Sequence, residues 1–140
     1  MASYHDDRNG TLRGSSVVRV FNIDGLKVVH MGDQGCMPGE NVLEMIADAD
    51  VMMIPVGGVY TVDAQGAKAI LDRVHPKCVI PMHYKTAANE SWPIAPVADF
   101  LRLYPEKAEE LPLLRVSAGD LSCQPRLVVL MPLSLGNVKA

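Results

Sequence analysis

His5, Asp33 and His83 are the residues of this chain whose types could do chemistry together. Two imidazoles and one carboxylate are donors that a borderline divalent metal such as zinc accepts, and an ionised carboxylate can bridge two cations and reduce their mutual repulsion. Asp33 follows an apolar run through Met31-Gly32, and His83 follows Pro81-Met82. Separations of 28 and 50 positions match no local metal motif of the His-x-x-x-His kind, so spacing alone is a weak signal. Each residue also has an ordinary reading: Asp33 as a turn former or cap, His83 as a hydrogen-bonded histidine at a strand end, and His5 as part of a solvated terminus.

The other candidates are weaker. His30 falls inside an apolar run, where a packed histidine bonded to its neighbours is favoured over a ligand. His75 precedes Pro76 at a helix end, where a cation suits the helix dipole. Gly57-Gly58 before Tyr60 and Thr61 could bind an anion through backbone N–H groups, yet the lysine and spacing of a phosphate loop are absent, and it reads first as a turn. Ser15, Ser16 and Ser91 lack a nucleophile-elbow context, and Cys36 has no base beside it in sequence.

The elements that must position these residues alternate in type. Residues 16–23 are rich in β-branched and aromatic side chains, Asp24-Gly25 is a turn dipeptide, and Leu26–His30 resumes a strand pattern, which predicts a β-hairpin. Val42, Met45, Ile46 and Ala49 recur at helical spacing and feed a buried strand over 51–56. Thr61 or Asp63 can cap a second helix whose Ala67, Ile70, Leu71 and Val74 share a face, before Cys78–Met82 forms another buried strand. A short helix is expected over 97–103 with Phe100 and Leu101 inward. Closing strands are expected at 113–116 and 127–131, the second bounded by Pro125 and Pro132 as edge strands often are. The class is α/β, in one domain over 1–140.

Composition excludes several functions. The chain has 140 residues, 49% hydrophobic and 21% charged, enough for a packed core. A formal charge of −3 with scattered basic residues offers no stripe for nucleic acid or an anionic membrane. No apolar run approaches the roughly 18 residues that a membrane span needs. Cys36, Cys78 and Cys123 match neither a disulfide framework nor a zinc ribbon, and a reducing, cytoplasmic setting is expected.

Several strings together resemble a known family: Ser3-Tyr4-His5-Asp6-Asp7, Arg13-Gly14, and Asp24-Gly25-Leu26 leading to His30-Met31-Gly32-Asp33. With Ile54-Pro55-Val56-Gly57-Gly58 and Pro81-Met82-His83-Tyr84-Lys85-Thr86, they are similar to the metallo-β-lactamase superfamily. The later strings look like its bacterial branch of predicted zinc-dependent hydrolases, related to the ascorbate-phosphate lactonases. The resemblance implies an αββα sandwich, of which this chain would be the C-terminal half: a mixed sheet with helices on one face. It implies two zinc ions, with His5 on one, His83 on the other and Asp33 bridging them. Between the metals a water or hydroxide would attack a small-molecule ester, lactone, amide or phosphodiester. Tyr60 and Lys85 would be placed to meet substrate.

The family's first motif, His-x-His-x-Asp-His, occurs nowhere in this sequence, and Cys36 stands where relatives often carry a histidine. The chain is therefore expected to be a partial domain with two protein ligands for each metal, against the three or four that zinc normally takes. It is expected to need a separately encoded N-terminal half, or to self-associate through an uncovered sheet. The alternative is a non-catalytic α/β interaction or scaffold domain derived from that fold.

Overall fold

The computed structural model describes residues 1–121 and 125–132. Arg19–Ile23 (β3) and Leu26–His30 (β4) form the expected hairpin, in a register that pairs Ile23 with Leu26 and Arg19 with His30. Asp24 and Gly25 hold φ of 49° and 80°, the left-handed pair that a two-residue turn of matching twist requires. Glu40–Ile46 (α1) then leads to Val51–Pro55 (β5), and Ala64–Val74 (α2) to Cys78–Met82 (β6). Asp63 caps α2 by accepting the Gly66 N–H at 2.8 Å, and His75 closes it in a left-handed conformation.

β4, β5 and β6 are parallel neighbours. Because crossovers are right-handed and both step the same way across the sheet, α1 and α2 must lie on one face. Val97–Leu101 (α3) packs against α2 on that side through Phe100, which is fully buried. Val29, Met52, Ile54 and Val79 meet Ile46, Ile70 and Val74 there to form the main core. Alternate residues Val51, Cys78 and Ile80 point to the other face, where Leu114 and Val116 cover them in part. On the same face of β3, Phe21 and Ile23 stay 45% and 52% exposed.

The structure corrects three strand expectations. Residues 16–23 are not one strand. Ser15–Val17 (β2) pairs antiparallel with Ala2–Tyr4 (β1) in a separate ribbon, and the chain breaks at buried Val18, whose N–H goes to Met1 O at 2.9 Å. Residues 113–116 form no strand: their apolar alternation packs Leu114 and Val116 onto the sheet without pairing to it. The edge is instead Glu109–Leu111 (β7), and Arg126–Leu130 (β8) lies inside, in the order β3-β4-β5-β6-β8-β7. Pro125 and Pro132 flank β8 without interrupting its ladder. Cys123 lies outside the described residues, among which no helix is long and apolar enough to cross a membrane.

The N-terminal ends of the parallel strands are held by one carboxylate. Asp50 accepts the Lys77 Nζ and the Lys27 N–H, each at 2.7 Å, just before β5, β6 and within β4. The Lys77 ammonium and then the Lys27 N–H hold its pKa below the usual 3.8. A carboxylate so lowered stabilises fully above its unfolded pKa and loses that contribution as pH falls through the folded one. Asp50→Ala should therefore destabilise by about 1–2 kcal/mol at pH 7. In urea titrations the gap to the parent should hold at neutral pH and shrink only below about pH 4.

Candidate metal centre

Parallel strands end together, so the chain leaving β4, β5 and β6 emerges along one edge of the sheet, where ligands bind in open α/β folds. Asp33 follows β4, Tyr60 follows β5 and His83 directly follows β6; His5 arrives from the separate ribbon, just after β1. These four residues and Trp92 line a cleft of about 310 Å³. The sequence candidates His5, Asp33, His83 and Tyr60 thus share one wall. Lys85 is not part of it: half-buried, it donates its backbone N–H to Ala95 O at 2.9 Å.

Two glycines set the histidine backbones. A Cβ on Gly35 would come within 2.2 Å of the His5 carbonyl carbon, and one on Gly57 within 2.2 Å of the His83 carbonyl oxygen. Gly35 N–H also donates to Tyr4 O at 2.9 Å, stitching the loop after β4 to the residue before His5. His83 itself sits at φ 53°, a backbone state that costs an L-residue about 1–2 kcal/mol.

Asp6, a residue to which the sequence reading assigns no role, fixes the other side of His5. Its buried carboxylate accepts four backbone N–H groups, from Arg8, Gly10, Leu12 and Arg13, at 2.7 to 3.0 Å. Burial pushes its pKa up, but the four donors outweigh burial and the net shift is downward. The readable signal was an acid opening the turn-forming run Asp7-Arg8-Asn9-Gly10.

The histidines differ in what their nitrogens do. His30 Nδ1 accepts the Gly32 N–H at 3.0 Å. His5 Nε2 and His83 Nδ1 are buried and have no hydrogen-bond partner. Buried polar atoms are nearly always paired, so two orphaned imidazole nitrogens on one cleft wall fit neutral metal donors, and Asp33 adds an exposed carboxylate. The donor types suit zinc. Yet among the described residues no group of three or more His, Cys, Asp or Glu side chains is gathered closely enough to hold an ion. Tyr60 meets His83 edge-on, at 6.5 Å between ring centroids and 76° between planes. Near the wall, Gln34 Nε2 donates to Cys36 O at 2.8 Å, and burial, with Asp6 and Asp7 nearby, pushes the Cys36 thiol pKa up.

Gly35→Ala should lower stability by about 2–3 kcal/mol, since its Cβ meets backbone that cannot rotate away. Gly119→Ala, which meets nothing within 4 Å, should change the urea midpoint little; equal midpoints for the two variants would remove the steric argument.

Residues 1–83 match the family model described as "Beta-lactamase superfamily domain". A UPF0173 metal-dependent hydrolase of Carboxydothermus hydrogenoformans is 35% identical over 83 residues, 58% of this chain and 34% of that protein. Another of that name, from Thermococcus onnurineus, is 30% identical over 113 residues, 76% of this chain and 47% of that protein. A Thermotoga maritima crystal structure, described as a candidate Zn-dependent hydrolase of the metallo-β-lactamase superfamily, superposes with a TM-score of 0.72 at 34% identity. That match covers 86% of this chain and 61% of the other. The chain thus spans between about a third and a half of the curated relatives it matches here. With the sequence match, the mixed sheet with helices on one face and the superposition in agreement, the chain belongs to the metallo-β-lactamase superfamily.

Proposed function

We propose that this chain carries the downstream ligands of a zinc-dependent hydrolase, and that the remaining ligands come from outside the 140 residues. The observation that supports it is the pair of buried, unpartnered nitrogens, His5 Nε2 and His83 Nδ1, on histidines of the cleft that Asp33 also lines. In this reading His5 serves one metal, His83 the other, and Asp33 both. Bound zinc would polarise a carbonyl or phosphoryl oxygen and activate water towards a small-molecule ester, lactone, amide or phosphodiester. The chain's own residues orient the donors: Gly35 and Asp6 hold His5, and Gly57 holds His83. No side chain of the cleft is assigned as general base.

The completing ligands would arrive with a second polypeptide segment that covers the face on which Phe21 and Ile23 are exposed; without that segment, the same face would pair with a second copy of this chain. A reducing, cytoplasmic setting suits Cys36 and Cys78, both free thiols. A second reading, a non-catalytic scaffold domain, is favoured by one observation: no described group of three ligands is gathered around a point.

The readings separate in a complementation assay. The chain would be expressed alone and with a segment carrying His-x-His-x-Asp-His, then assayed for zinc content and for hydrolysis of lactones and phosphodiesters. The hydrolase reading expects uptake and turnover only with the segment, and a loss of about 100-fold or more, equivalent to roughly 3 kcal/mol, in Asp33→Ala. Turnover by the chain alone would refute the requirement for outside ligands, and no zinc uptake with the segment would favour the scaffold.

A further inference from the structure

Two side chains that line the cleft, Tyr60 and Trp92, and one that rests on Tyr60, Arg13, are not used in holding a metal. The Arg13 guanidinium lies over the Tyr60 ring, 5.6 Å from its centroid. Arg13 is exposed, and among the described residues its guanidinium has no ion-pair or hydrogen-bond partner. Asp6, in the same loop, makes no bond to this guanidinium: its two oxygens each accept two backbone N–H groups, that of Arg13 included. A guanidinium resting on an aromatic ring keeps its N–H edge available for a carboxylate or phosphate.

Trp92 supplies the other wall. It is 50% exposed, although tryptophan is normally well covered. Its loop is nevertheless tied down. Trp92 N–H donates to Asn89 O at 2.9 Å, and the Asn89 side chain accepts the Thr86 N–H at 2.6 Å. Ala95 N–H donates to Gly57 O at 2.8 Å, beside the His83 carbonyl. An exposed indole on an anchored loop, facing the same cleft as Tyr60, is a built aromatic surface.

We infer that Arg13, Tyr60 and Trp92 form the specificity subsite of this cleft, and that it takes the planar, negatively charged end of a substrate: an aromatic or conjugated group bearing an anion. The rings supply flat apolar contact, and Arg13 supplies the charge. The inference rests on the cleft being the substrate site of the proposed hydrolase, but its test reads binding alone.

The chain contains a single tryptophan, so its indole N–H gives one isolated NMR signal at the subsite. Benzoate would be titrated into the full nitrogen-labelled chain, with benzamide and cyclohexanecarboxylate as probes lacking the charge or the ring. Benzoate should move the signal saturably and bind about tenfold more tightly than either control. Arg13→Gln should bring benzoate to the benzamide level and leave benzamide unchanged, while Tyr60→Leu should weaken both. Arg19→Ala, on β3, should behave as the parent. Equal affinity for the three probes, unaltered benzoate binding in Arg13→Gln, or no saturable shift by on the order of 10 mM would overturn the subsite. Since neither metal nor turnover is measured, failure of the complementation assay would overturn the hydrolase and leave this result standing.

Discussion

Gly35 lies against the His5 carbonyl and Gly57 against that of His83, too close for any side-chain carbon to stand between. The arrangement of the site depends on these two backbone contacts. A sheet edge can only deliver residues near one another. It is the glycine contacts that bring the loop after β4 onto the loop after β1, and the turn after β5 onto the end of β6, closely enough for His5, Asp33 and His83 to line one cleft. The left-handed backbone of His83 is tolerated in that setting because the neighbouring turn is locked against it.

The sheet divides its work between its two edges. At the N-terminal ends of the parallel strands, Asp50 joins Lys27 and Lys77 in a satisfied polar cluster that stabilises the fold. At the C-terminal ends, imidazole nitrogens are left without partners and a carboxylate is left in solvent. The first edge is satisfied within the chain, and the second leaves donors unpaired. The same contrast holds for the two faces. One is closed by three helices, and the other is covered only in part, with Phe21 and Ile23 open.

Elements specified by local chemistry were legible in the sequence. Asp24-Gly25 demanded its turn, Thr61 or Asp63 a cap, which the structure gives to Asp63, and Cys78–Met82 its buried strand, because each depends on neighbours within a few residues. Pairing partners were not legible. Residues 16–23 read as one strand since their side chains are uniformly suited to a sheet; only the tertiary contact of Val18 with Met1 divides them between two sheets. At 113–116, expected as a strand, Leu114 and Val116 are partly buried against the sheet, but burial does not require a ladder. In the site, the strings holding His5, Asp33 and His83 were readable by resemblance, whereas Trp92 lies in no such string. Its place on the cleft wall depends on a loop folded back through Ala95 to Gly57, over a distance no local pattern encodes.

The central claim is that His5 and His83, of the four histidines, present free nitrogens to one metal site. A zinc titration at neutral pH of the isotope-labelled full chain, paired with an unlabelled segment carrying His-x-His-x-Asp-His and followed through the imidazole resonances of His5, His30, His75 and His83, tests it most directly. The account predicts that His5 and His83 respond together along one saturable curve, that Asp33→Ala weakens both, and that His30, whose Nδ1 is taken by Gly32, does not follow them. Independent responses of His5 and His83, or a zinc response confined to His30 and His75, would contradict it.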